Sequence, residues 1–253
     1  VPVTIGIDVL VFLAWQVART LPAVHTFMVV NFLVSPVHLQ HGLFWTLLTS
    51  VFSHAELWHI AVNMIVLYSF GSVLERLWGT RDFTVFYLIA GVLASVTHCA
   101  TSLWLLGRPN ISALGASGAI SGLLMAYALL FPKQKILVMG IIPVPAAAGV
   151  LAFVGFDVWG LVAQSHGGGF PIGHGAHLGG AAAGALLYFV FIRPRLRQRL
   201  GAGGSGTPML SRAESRELKR LHEKIEAEGP ESLTEEERVF LGGLRDRMRS
   251  TAG

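Results

Sequence analysis

Charge is what this sequence has least of. Acidic and basic residues fill 13% of its 253 positions, about half the share of a soluble globular domain, and most of them lie from Arg193 onward. That scarcity excludes an ordinary water-soluble domain for residues 1–192. With a mean hydropathy of +0.59, it points to lipid as the solvent. Cysteine is nearly absent too. Cys99 stands alone, which excludes an intrachain disulfide, and in its apolar surroundings it reads as a small core residue. The first apolar run has no basic stretch before it and more apolar runs after it, so it reads as a span and not as a signal peptide. A net charge of +4 and a pI near 9.6 do not indicate nucleic acid. The basic residues sit in short connections between apolar runs and just after the last run, where they orient a membrane protein.

A helix needs about 20 mostly apolar residues to cross a bilayer. Six runs approach that length, near residues 3–20, 56–76, 83–105, 114–131, 143–163 and 175–192. The expected fold is therefore an all-α polytopic membrane protein with six transmembrane helices. Residues 21–55 hold no Lys or Arg but carry Phe27, Phe32, Phe44, Trp45 and Phe52, and are interrupted by Pro22 and Pro36. They read as a loop lying partly in the membrane interface, where aromatic side chains concentrate. Alternate connections hold Arg76 and Arg81, then Lys133 and Lys135, then Arg193, Arg195, Arg197 and Arg199. The other connections hold Arg108 alone, with Arg19 at the edge of the first span. The basic set predicts a cytoplasmic side, so both termini are expected in the cytoplasm.

Beyond the membrane part (1–199), the glycines of 200–210 predict a flexible linker. Residues 211–253 predict a soluble helical hairpin, a small cytoplasmic tail. Leu218, Leu221 and Ile225 mark one apolar stripe. Thr234 followed by Glu237 has the spacing of a capping box, and Gly229-Pro230 separates the two helices.

Polar residues inside spans are costly and mark function by default. They include Asp8, His59, Asn63, Glu75, His98, Ser117, Ser121, Asp157 and His177. By the charge-derived topology, His59 and Asn63 lie in the outer half of the second span, four residues apart on one helix face. Ser117 lies about one turn into the fourth span, and His177 in the first turn of the sixth. Three helices thus bring these side chains to one depth near the outer leaflet.

Ser117 is flanked by Gly115 and Gly118, which let a backbone approach closely, and a helix N-terminus there offers free N–H groups to a developing oxyanion. The plainer alternative is helix packing through small residues. His177 shares its face with Gly180 and Gly184, a small-xxx-small pattern that would let its helix approach a partner. If the partner is the fourth span, a serine nucleophile meets a histidine base; a histidine at the lipid–water boundary is the alternative. His59 and Asn63 could donate to an oxyanion with the Ser117 N–H, or simply tie helices together. No third acid is evident, since Asp8 and Asp157 lie on other spans. Ser53, His54 and the 164–174 loop are expected to line a polar cavity open to the outside.

Four stretches carry a resemblance: H-A-E-L-W-H-I-A-V-N-M at His54–Met64, E-R-L-W-G at Glu75–Gly79, G-A-S-G-A-I at Gly115–Ile120 and A-H-L-G-G-A-A-A-G at Ala176–Gly184. In this order and on these spans they resemble the rhomboid intramembrane serine proteases, across roughly residues 3–192. The resemblance implies a serine endopeptidase with Ser117 as nucleophile and His177 as general base. It implies an oxyanion hole of His59, Asn63 and the Ser117 N–H, and a structural Glu75. It implies a first external loop lying sideways in the membrane and a fifth span that moves as the substrate gate.

The expected partners are single-span membrane-protein substrates and the lipid bilayer, with no metal, cofactor or nucleic acid. The expected location is a bacterial inner membrane. Two departures stand out. Trp45-Thr46 replaces a common Trp-Arg, and Ser121 occupies a position where some members stack an aromatic ring on the histidine, so that ring must be oriented by something else. A catalytically inactive relative and a transporter are the alternatives. Neither an H-E-x-x-H metalloprotease helix nor the G-x-G-D context of aspartyl intramembrane proteases is present.

Overall fold

A computed structural model describes residues 1–138, 141–170, 172–202 and 211–250. They form two compact units, Val1–Ile192 and Arg193–Gly253.

In the first unit, four helical stretches are long and apolar enough to cross a membrane: Leu57–Trp78, Thr80–Leu105, Ala146–Ser165 and His174–Arg199, the last running past the unit boundary. Pro2–Ala18 and Ser117–Leu130 are shorter apolar helices. All six fall on the apolar runs of the sequence. The fourth is shorter than the expected 114–131 because Gly115 takes a left-handed φ of +118°, and helix geometry begins only at Ser117.

The exterior is far more apolar than that of a soluble domain, and several polar side chains lie inside. Trp58 and Trp104 are 79% and 81% exposed, whereas Asp8, His54, Asp157 and His174 are buried. An apolar exterior suits hydrocarbon.

Residues 21–55 are more regular than a loop. Helices cover Pro22–Phe32, Pro36–Gln40 and Thr46–Thr49. Pro22 and Pro36 start helices here. Proline is favoured in the first turn, where its missing N–H would have no partner anyway. Ser35 caps the second of them by accepting the His38 N–H. Trp45, which lacks the arginine neighbour expected of the family, donates its indole N–H to Asn31 Oδ1 at 3.1 Å, and Thr49 donates to the Asn31 carbonyl.

The expectation of an all-α chain needs one correction. Lys135–Val138 and Ile142–Pro145 pair as an antiparallel hairpin. Pro143 and Pro145 favour extended backbone and cannot donate within a helix, so the fifth helix begins at Ala146 and not at 143.

Glycine faces set the central packing. A Cβ on Gly180 would strike the Gly118 carbonyl oxygen, one on Gly184 would strike that of Gly122, and one on Gly122 would come within 2.9 Å of the Gly180 oxygen. Gly175 and Gly179 similarly face Thr101 and Thr97. The His174–Leu187 helix thus presses bare backbone against two neighbours, the small-residue packing of helices in lipid.

In the second unit, Arg193–Ala202 is helical, so Gly201 continues a helix, and the remainder of the expected 200–210 linker lies outside the described residues. Ser211 closes a full capping box on Arg212–Glu228. Thr234 and Glu237 exchange the same pair of bonds at the start of Glu235–Ser250. Glu237 also accepts from Arg220 at 2.6 Å and Lys224 at 2.8 Å, which ties the second helix to the first, over a buried Leu221.

Candidate active site

Ser117 opens its helix. The first backbone bond of that helix runs from the Ile120 N–H to the Ala116 carbonyl at 2.9 Å, so the N–H groups of Ser117, Gly118 and Ala119 precede it and have no partner within the helix. The preceding turn is held from outside. The Gly115 N–H donates to the Ser50 carbonyl at 2.8 Å, and Ala113 exchanges two backbone bonds with Val34. The early loop thereby supports the serine turn.

His177 lies in the first turn of its helix. Its Nε2 is 2.9 Å from Ser117 Oγ, within hydrogen-bond distance. The contact follows from the glycine faces, because the Gly118–Gly180 and Gly122–Gly184 approaches leave no room between the two helices.

The other ring nitrogen overturns one expectation. His177 Nδ1 lies 3.0 Å from Asp157 Oδ1, so an acid does stand behind the histidine. It comes from the Ala146–Ser165 helix, which turns Asp157 inward. Phe153, one turn earlier on the same helix, places its ring 5.5 Å from the imidazole at 31°. These two residues supply the orientation that Ser121 cannot; the Ser121 hydroxyl instead donates to the Ser117 carbonyl at 2.7 Å. The sequence carried a signal for both: Asp157 is the one acid in its apolar run, and an aromatic residue four positions away shares its face.

Asp157 is shared. His174 Nδ1 approaches the same Oδ1 at 2.7 Å. The three groups present ligand atoms within 4.8 Å of one another, a spacing that could hold a metal ion. Here both Nδ1 atoms are engaged by hydrogen bonds to the carboxylate. His174 Nε2 and Asp157 Oδ2 have no hydrogen-bond partner among the described residues.

A cavity of about 980 Å³ joins Ser117, His177, His59, Asn63 and Phe153. His59 packs on the serine turn so closely that a Cβ on Gly115 would lie 2.7 Å from its Cε1. The Asn63 amide donates to the His59 carbonyl at 2.9 Å. Of the expected lining, the 164–174 loop contributes Gln164, Phe170 and Ile172, tied together by Gln164 Nε2, which donates to the carbonyls of Phe170 and Ile172. Ser53 and His54 do not line it; both are fully buried beneath the serine turn.

Long apolar helices with an apolar exterior define an integral, multi-pass membrane protein. Residues 41–194 match the rhomboid domain family, well over half of the chain, and the chain belongs to that family. It is 32% identical over 209 residues to rhomboid protein 1, mitochondrial, of Saccharomyces cerevisiae, covering 79% of this chain and 56% of the relative. It is 31% identical over 199 residues to RHOMBOID-like protein 12, mitochondrial, of Arabidopsis thaliana, covering 74% and 56%. It is 34% identical over 182 residues to the human presenilin-associated rhomboid-like protein, mitochondrial, covering 71% and 45%. The chain spans about half the length of the curated relatives it matches. All three relatives are named as mitochondrial, so the expected bacterial inner membrane finds no support among them.

Proposed function

We propose that this chain is an intramembrane serine endopeptidase that cleaves transmembrane segments of single-span membrane proteins near the outer leaflet. The observation that carries the reading is the 2.9 Å approach of Ser117 Oγ to His177 Nε2 at the wall of the cavity that His59 and Asn63 also line. Ser117 attacks the scissile carbonyl while His177 takes its proton at Nε2. His177 then protonates the leaving amine, and water from the cavity hydrolyses the acyl-enzyme. Asp157 accepts from Nδ1–H, which fixes the tautomer with a bare Nε2 and stabilises the imidazolium as it forms. The Ser117 N–H, His59 and Asn63 are the oxyanion donors. Gly115, Gly118, Gly180 and Gly184 permit the close backbone approaches.

In this reading all six apolar helices are membrane crossings, and both termini face the cytoplasm. The Ser117–Leu130 helix has 14 residues, about 21 Å at 1.5 Å per residue, against a hydrocarbon core of about 30 Å. With Leu130 at the cytoplasmic boundary, Ser117 sits roughly 10 Å below the outer one. A scissile bond at that depth is shielded by helical hydrogen bonds, so substrates with Gly or Pro near the outer face unwind most easily.

The test is cleavage of a panel of single-span substrates in liposomes, wild type against Ser117→Ala, with fluorophosphonate labelling of Ser117 in parallel. Cleavage and labelling lost together in the variant are expected. A wild type that binds substrates but neither labels nor cleaves would make the chain a non-catalytic, substrate-binding relative.

A further inference from the structure

Asp8 is the one charged side chain within the Pro2–Ala18 helix, and it is fully buried. A carboxyl group in a membrane-embedded helix is costly to bury and is retained where it is used. It faces His54, also fully buried, whose Nδ1 lies 3.4 Å from Asp8 Oδ1. The opposite ring nitrogen, His54 Nε2, accepts the Ala116 N–H at 3.3 Å. Ala116 immediately precedes Ser117.

This arrangement dictates a protonation pattern. A backbone N–H aimed at Nε2 requires that nitrogen to be bare. The single proton of a neutral imidazole is then on Nδ1, facing the carboxyl group. Among the described residues, neither Asp8 oxygen nor His54 Nδ1 makes a hydrogen bond, and the 3.4 Å approach of Oδ1 to Nδ1 turns the two groups toward each other. The same helix grips the segment on either side of His54. Trp15 Nε1 donates to Ser53 Oγ at 2.7 Å and Gln16 Nε2 to the Ala55 carbonyl at 3.2 Å. Gly115, with its positive φ, gives the serine turn a conformational freedom that an outside contact must remove.

We infer that Asp8 is a positioning residue for the nucleophile: it fixes the His54 tautomer, and His54, through the Ala116 N–H, holds the turn that aims Ser117 and its backbone N–H. The inference rests on the proposed role of Ser117. It adds a helix outside the catalytic set as a support of the serine turn. His54 also meets His59 edge-on at 4.9 Å between ring centroids, so the same support reaches a proposed oxyanion donor.

The test uses the full chain in liposomes. Asp8→Leu is expected to lower both kcat and the rate of fluorophosphonate labelling by about 10–100-fold, the scale of a sub-ångström to 1 Å misplacement, with KM changed less than about two-fold because no substrate contact is lost. Asp8→Asn keeps an oxygen that can accept from Nδ1–H and is expected to retain activity within about five-fold of wild type. Asp8→Leu matching wild type, or Asp8→Asn falling as far as Asp8→Leu, overturns the inference. Should Asp8→Leu not fold, ¹⁵N-histidine NMR of the wild type in micelles decides, with the His54 signals assigned by their loss in His54→Gln. Nδ1–H with a bare Nε2 is expected, and a proton on Nε2 refutes the relay. A wild type that resists labelling yet shows this tautomer would instead count against the proposed protease function.

Discussion

Replacing Gly180 by valine tests the packing that brings the two reacting side chains together. A Cβ at Gly180 would sit 2.7 Å from the Gly118 carbonyl carbon and closer still to its oxygen, against the 3.5–4.0 Å of ordinary carbon contacts. The obstacle is backbone, so no rotamer change relieves it. The helices must part by roughly 1 Å, and the two further methyl groups of valine add to that. Overpacking of this kind costs about 1–3 kcal/mol. A 1 Å opening would carry the 2.9 Å Ser117–His177 contact to about 4 Å, outside hydrogen bonding. Loss of a positioned base lowers turnover by about 10²–10⁴-fold, although Ser117 and His177 are both still present. Liposome cleavage and fluorophosphonate labelling, each normalised to folded protein, measure the effect. Gly180→Ala should fall between wild type and valine. A Gly180→Val variant that labels and cleaves like wild type would refute the reasoning, because the helix contact would then not control the catalytic geometry.

Other outcomes follow from the same structure. Asn63→Ala or His59→Ala should each reduce turnover by roughly 10²–10³-fold if each acts as a single oxyanion donor; unchanged steady-state rates in both would remove that role. Asp157→Asn should lower kcat by about 10²–10⁴-fold by releasing the His177 tautomer, with His174 still in place; a wild-type rate would show that the acid serves packing alone. In the second unit, Glu237 is held down at about 2 from an ordinary 4.5 by Lys224, then by the Thr234 N–H and Arg220. Its folded-state value is depressed, so its contribution is fully present above about pH 4.5 and is lost as pH falls toward 2. Hydrogen-exchange protection of the two tail helices in the full chain, corrected for the intrinsic exchange rate at each pH, should fall across that window in the wild type and fall less in Glu237→Gln.

Hydropathy and residue spacing along the chain are enough for the solvent, the position of the six apolar helices and the two helices of the tail. These are properties of runs and periods: hydropathy over about 20 residues, and Thr234 three positions before Glu237. The sequence also leads to the expectation of one depth for Ser117, His177, His59 and Asn63, since depth depends only on distance along each helix from a charged boundary. What it left open is rotation. Whether Asp157 faces His177 or lipid depends on how the Ala146–Ser165 helix turns about its axis, and an apolar span in lipid has no amphipathic stripe to fix that angle. The same holds for Asp8 and His54, which meet across 46 positions of sequence. Proline shows the local form of the limit: Pro22 and Pro36 read as breaks, yet each starts a helix, because position within the turn and not residue type decides the outcome. Tertiary packing, through the glycine faces of two helices, decided which polar groups meet, because burial in lipid leaves each of them only the partners that neighbouring helices present.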